Sequence, residues 1–258
     1  MSNKKRFMCY SSGAMRGVYY AGVMHALDEA GIAFAEFSGV SVGSTAAAWH
    51  AAGQAHEAMD AWEALGPFQI SHHPLFNNAS RKNLDWLIYH VTLPFLDLNA
   101  LKKSDTRLHV ALTEVVAPWK GGKGWSKRAY LPFKGAFASK DLFDAVRASC
   151  YMPFINGVLS TYKIRDKHYL DGGLTGRIPI DCINPEEFDE IWIAAASPRA
   201  LVELEAIDLG KYAKVRPITI TPSKDIPLGT IKTNIRGFRD TALLGYHDTQ
   251  RVLERYCK

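Results

Sequence analysis

Three short stretches of this 258-residue chain carry the residue types that acyl transfer requires. Such a reaction needs a nucleophile, a base for its proton, and donors for the oxyanion. The first stretch is Gly39-Val40-Ser41-Val42-Gly43, which has the spacing of a nucleophile elbow. There a strand turns sharply into a helix and holds the serine at the tip, and the flanking glycines permit close approach and a strained backbone. FAEFSGV before it reads as a strand and STAAAWHAAG after it as a helix ending at Gly53. Ser41 is therefore a candidate nucleophile. The backbone N–H of Val42, in the partial positive field at the start of that helix, is one oxyanion donor. The pattern alone also fits an ordinary turn into a helix.

The second stretch is SSGAMRG, Ser11 to Gly17. It is another strand-to-helix turn of small residues, and such a turn aims bare N–H groups at an anion. Gly13 and Ala14 are the candidate donors. Arg16 either braces the loop through its fork of donors or lies near a negatively charged substrate. The third is YLDGGLTGRIP, Tyr169 to Pro179. Asp171, at a strand end on a Gly-Gly turn, is placed to accept the Ser41 proton directly. That role needs partial burial to lift its pKa from the usual ~3.9 toward neutrality. The bland alternatives are a plain strand–helix junction and a plain Asp-Gly turn. All three stretches lie at strand ends, where open α/β sheets place their sites.

Other residues are weaker candidates. Asp171 and His247 both follow Ser41, so chain order allows a Ser–His–Asp triad, but His247 reads better as a helix-surface residue. His72 and His73 are adjacent and lack partners at metal-ligand spacing. Cys150 reads as packed core. The apolar positions between Trp86 and Leu98 read as core, with the lining of an acyl channel as the alternative. KGGKGWSKRAYLPFK, Lys120 to Lys134, holds basic and aromatic residues and no acid. It is a candidate for peripheral contact with an anionic membrane; the alternative is a solvated hairpin with a Gly-rich turn. It is not a P-loop, since Gly124 follows Lys123, and the G-x-G-x-x-G dinucleotide spacing is absent near Gly13.

These residues need a rigid frame, and the rest of the chain supplies one. Hydrophobic residues make up 47% and charged residues 22%, a composition that can bury a large core. RFMCYSS reads as a short apolar strand, TRLHVALTEV alternates in the manner of a strand, and KHYLDGG, EIWIAAAS and RPITITP read as three more short strands. They alternate with helices at RGVYYAGVMHALDEAG, LFDAVRASCYM and GFRDTALLGYHDTQRVLERY. Residues 53 to 103 read as mostly helical with proline breaks. The expected class is α/β, with a mostly parallel, helix-covered sheet. With no linker or repeat, residues 1–258 are expected to form a single domain. No run has the length of a membrane span, and MSNKKRFMCYSSG lacks the apolar region of a signal peptide. The four cysteines are far apart, so reduced thiols in a cytoplasmic protein are expected, with peripheral membrane contact as an addition. The net charge of +5 comes with no nucleic-acid motif, so no nucleic-acid partner is expected. The sequence leaves the oligomeric state open.

In order, SGAMRG, GVSVG and DGG resemble the patatin-like phospholipase family. ASCYMPF (Ala148 to Phe154) is similar to that family's Ala-Ser-x-x-x-Pro stretch, and LLGYHDTQRVL to its Gly-Tyr terminal helix. The resemblance implies a three-layer α/β/α sandwich. It implies hydrolysis of fatty acyl esters of lipids through an acyl-enzyme, with no metal or cofactor. By position it makes Ser41 the nucleophile and Asp171 its base in a dyad without histidine, with Gly13 and Ala14 at the oxyanion. The chain departs from the family where Ser12 and Ala14 replace glycines and where Arg177 stands in place of an asparagine. A thioesterase or acyltransferase acting on carrier-bound acyl chains, and a non-catalytic lipid-binding regulator, are the alternative functions.

Overall fold

The computed structural model describes residues 4–70, 81–116, 126–153, 155–156, 160–207, 212, 215, 217–228 and 234–256. The strands are β1 (Arg6–Tyr10), β2 (Glu36–Val40), β3 (Gln69–Ile70), β4 (Arg81–Lys82), β5 (Arg107–Val115), β6 (Ser126–Phe133), β7 (Tyr162–Ile164), β8 (Lys167–Asp171), β9 (Glu190–Ala194) and β10 (Ile218–Ile220). The α-helices are α1 (Tyr19–Glu29), α2 (Val42–Ala51), α3 (Ala58–Leu65), α4 (Leu84–Leu87), α5 (Leu98–Lys103), α6 (Ser139–Ser149), α7 (Pro198–Ala206) and α8 (Ile235–Tyr256).

The main sheet runs β10-β9-β1-β2-β5-β8-β7, and β6 also pairs with β5. From β10 to β5 the pairs are parallel; β6, β7 and β8 are antiparallel. Helices cover both faces, giving the expected α/β/α sandwich with a mostly parallel sheet. Two cores follow from strand alternation. Met8, Tyr10, Trp192 and Ala194 face one core, and Phe7, Cys9, Ile191 and Ile193 face the other. The β5–β6 pair is the expected hairpin, with its turn outside the described residues. Its described bases are paired with acids: Lys127 with Glu114 at 3.6 Å, Arg128 with Asp181 at 2.7 Å, and Lys134 with Asp105 at 3.0 Å. His72 and His73 lie outside the described residues.

Two elements differ from the sequence reading. The first turn after β1 is a 3-10 turn, Ala14–Val18, that leads into α1. Within it Gly17 sits against Val42, where a Cβ would lie 2.3 Å from a Val42 methyl. The 53–103 region is helical, but it also holds the two-stranded ribbon of β3 and β4 and a π-helical turn at Ile88–Thr92.

The terminal helix α8 lies across α1 through a pair of glycines. A Cβ on Gly22 would sit 1.8 Å from the Ala242 carbonyl oxygen, and one on Gly245 would sit 2.1 Å from the Tyr19 carbonyl oxygen. Each glycine lets the other helix's backbone come into contact. Gly22→Ala is expected to cost about 2–4 kcal/mol, because backbone cannot step aside as a side chain can. Gly31→Ala is the control: Gly31 has φ +65° and nothing within 4 Å of the added Cβ, so it carries only the left-handed penalty of about 1 kcal/mol. Thermal melts of the two variants check this; equal losses would refute the close-contact account.

Candidate active site

One strand aligns both key residues. β6 occupies one edge of β5 from Leu108 to Val115, so β2 and β8 must share the other edge. β2 pairs with its first half, ending at Val40 opposite Ala111. β8 pairs with its second half, with Asp171 opposite Leu112. The two strands therefore meet head on at adjacent positions of β5. Ser41 leaves the end of β2, and its hydroxyl donates to Asp171 Oδ2 at 2.8 Å.

The elbow is strained and clamped. Ser41 has φ 55° and ψ −131°, a region that side chains avoid at a cost of about 1–3 kcal/mol. Its glycines permit the turn: a Cβ on Gly39 would lie 2.1 Å from the Gly43 carbonyl oxygen, and one on Gly43 would lie 2.3 Å from that of Tyr10. Two hydroxyls hold the turn in place. Ser149 Oγ accepts from the Ser41 N–H at 2.8 Å and donates to the Ala111 carbonyl at 2.6 Å. Ser44 Oγ donates to the Ser41 carbonyl at 2.6 Å.

Asp171 is buried and held by four hydrogen bonds. Oδ2 accepts from Ser41, and Oδ1 accepts from the Gly173 N–H at 2.7 Å. Its own N–H donates to the Tyr151 carbonyl at 2.8 Å, and its carbonyl accepts from Thr113 Oγ1 at 2.8 Å. Burial raises its pKa to about 6; the bonds from Ser41 and Gly173 and the charge of Arg177 act in the opposite direction. At neutral pH it is mostly a carboxylate.

A cavity of about 500 Å³ opens over this pair. Gly13, Ala14, Arg16, Ser41, Val42 and Asp171 all line it, so the structure brings the residues of the three stretches together. Among the described residues, the N–H groups of Gly13 and Val42 have no backbone acceptor. Ala14 has φ 50°, the left-handed conformation that a glycine would adopt without strain. The apolar wall includes Trp62, Leu87, Ile88 and Cys150. Leu87, Ile88 and Cys150 are buried and also line the cavity. No histidine lines the cavity among the described residues. His247 is exposed on α8, with Nδ1 3.3 Å from Gln250 Oε1. Arg177 lies beside a carboxylate: Glu203 accepts from its backbone N–H at 2.7 Å and stands 4.0 Å from its guanidinium. Among the described residues no cluster could hold a metal ion, and no helix is long and apolar enough to cross a membrane.

A cavity walled by hydrocarbon over a hydroxyl and a carboxylate suits an acyl ester, and the chain is a lipid ester hydrolase by class. It belongs to the patatin-like phospholipase family: the family described as Patatin-like phospholipase matches residues 8–182. Among solved structures, VipD from Legionella pneumophila is similar with a TM-score of 0.53 at 15% identity, over 98% of this chain and 67% of that one. The type III effector protein ExoU is a weaker match, with a TM-score of 0.42 at 15% identity, over 96% of this chain and 53% of that one. The chain thus spans about half the length of ExoU. No curated protein sequence matches significantly.

Sequence reasoning missed Ser149 and Thr113. Ser149 stood in the ASCYMPF stretch, but nothing in its spacing showed that it would face the elbow. Removing its hydroxyl leaves the buried Ser41 N–H and Ala111 carbonyl unpaired. Ser149→Ala is expected to lower stability by about 1–3 kcal/mol, read as a denaturation midpoint. Ser41→Gly is expected to be more stable than Ser41→Ala by about 1 kcal/mol, since only glycine accepts that φ and ψ without strain. Equal midpoints for those two variants would contradict the strain.

Proposed function

We propose that this chain hydrolyses fatty acyl esters of lipids, in the manner of a phospholipase A or lysophospholipase, through an acyl-enzyme on Ser41 with Asp171 as its base. The observation that carries the reading is the 2.8 Å hydrogen bond from Ser41 Oγ to a buried carboxylate inside an apolar cavity. Ser41 Oγ attacks the ester carbonyl carbon as its proton passes to Asp171 Oδ2. The negative charge on the former carbonyl oxygen falls to the N–H groups of Val42 and Gly13, with Ala14 beside them. The C–O bond to the alcohol then breaks, and the departing lysolipid or glycerol oxygen takes the proton from Asp171. Water repeats the sequence: Asp171 accepts its proton, hydroxide oxygen bonds to the acyl carbon, the bond to Ser41 breaks, and the proton returns to Ser41. The products are a fatty acid and the free enzyme.

A histidine is not needed if the carboxylate is basic enough, and burial supplies that basicity. Arg16 lines the same cavity and is assigned to substrate contact. Peripheral contact with an anionic membrane belongs to this proposal. The described bases of the β5–β6 hairpin are already paired with acids, so the cavity mouth is the better candidate for it.

Hydrolysis of a medium-chain chromogenic ester tests the reading. Wild type is expected to turn over, and folded Ser41→Ala and Asp171→Asn are expected to fall by at least about a thousandfold in kcat. His247→Ala is expected to stay within about twofold of wild type. An active Asp171→Asn, or a dead but folded His247→Ala, would move the base elsewhere. The pH profile is a second check. Asp171 must be ionised to accept a proton, and its pKa is raised to about 6. The rate kcat/KM is therefore expected to fall as pH drops through about 6, rather than near the ~3.9 of an ordinary aspartate.

A further inference from the structure

The cavity carries a charge asymmetry that ester cleavage does not use. Arg16, Arg177 and Arg199 line it, and Asp171 is the one carboxylate among the described lining residues. That carboxylate is already bonded to Ser41 and Gly173. Two of the arginines are not fully neutralised by the protein: Arg177 has one distant ion pair, and Arg199 has none among the described residues. The Arg177 carbonyl accepts from the Ser12 N–H at 3.0 Å, which seats it beside the Gly13 loop. Glu203, its acidic neighbour, takes the N–H groups of Arg177 and Ile178 at 2.7 and 3.0 Å. The Arg177 guanidinium pairs with Glu203 only at 4.0 Å, and its side chain is 31% exposed. Arg199 is exposed in the first turn of α7, a turn without an acidic residue. A cation there adds to the positive end of the helix, the reverse of the stabilising placement. It makes no ion pair or hydrogen bond among the described residues.

We propose that Arg177 and Arg199 form a head-group subsite for lipid esters whose head group is an anionic phosphate. The inference rests on the hydrolase reading of the same cavity. The acyl chain lies along Leu87 and Ile88, and the phosphate oxygens meet guanidinium forks suited to bidentate binding. Neutral acylglycerols offer neither cation an anionic group and bind less well.

The test uses soluble, monomeric substrates so that surface attraction plays no part. The kcat/KM for dihexanoyl phosphatidylglycerol is divided by that for dihexanoylglycerol. For wild type the ratio is expected to be about ten or more, carried mainly by KM. In Arg177→Gln/Arg199→Gln it is expected to fall to near one, and in Arg177→Lys/Arg199→Lys to stay well above one. If the double glutamine variant fails to fold, Arg199→Gln alone is expected to lower the ratio about threefold, since Arg199 is exposed and unpaired. A wild-type ratio near one with both esters cleaved overturns the subsite and leaves the hydrolase reading standing. Cleavage of neither ester overturns the hydrolase reading itself. Inhibition of neutral-ester hydrolysis separates a lipid head group from a free ion. Stronger inhibition by glycerol 3-phosphate than by inorganic phosphate, lost in the glutamine variant, supports the lipid head group. Equal inhibition by both, with no preference among the lipids, assigns the arginines to free phosphate and overturns the proposal.

Discussion

Two consecutive residues of β5 carry the whole arrangement. Ala111 faces the last residue of β2 and Leu112 faces the last residue of β8. Because β6 fills the opposite edge, a parallel strand and an antiparallel strand must end against each other on one edge. A hydroxyl and a carboxylate 130 positions apart thereby come within hydrogen-bond distance. The same point of β5 supports the surroundings. The Ala111 carbonyl accepts from Ser149, which holds the elbow, and a Cβ on Gly172 would lie 2.4 Å from that oxygen. The turn after Asp171 can close only over a glycine.

The carboxylate shows how packing sets chemistry. A surface aspartate is too weak a base for a serine hydroxyl at neutral pH. Asp171 is buried where β2 and β8 end against the middle of β5, and burial pushes its pKa toward neutrality. Full neutralisation is avoided because both oxygens accept a hydrogen bond and Arg177 lies within electrostatic reach. His50 shows the opposite case. It is buried beside Tyr10, and burial lowers its pKa to about 3, so it stays neutral and serves packing.

Much of this was legible in the sequence. The elbow, the Gly13 loop and the DGG turn each carry local backbone demands, and local demands leave local signals. β1 and β9 are readable as short, mostly apolar runs, β2 by its place before the elbow and β5 by its alternation, although buried Arg6, Glu190 and Thr113 stand within them. What escaped depends on distant partners. Ser149 ends an ordinary amphipathic helix, and its meaning comes from the Ser41 N–H beyond it. The ribbon of β3 and β4 has two residues per strand, too few to show alternation. α7 did have a readable start, Ser197 at the N-cap and Pro198 at the first helical position. Its place in the cavity wall rests on the sheet order that puts β9 beside β1.

The central claim is that β5 holds Ser41 and Asp171 as a reacting pair. The most direct measurement is labelling with a fluorophosphonate, located by peptide mass mapping and timed across pH. The account predicts a single adduct on Ser41: its oxygen bonds to phosphorus, fluoride leaves, and Asp171 takes the proton. Labelling should slow below pH of about 6 and nearly stop in Asp171→Asn. An adduct on another residue, or Ser41 labelling at full rate without Asp171, would contradict it.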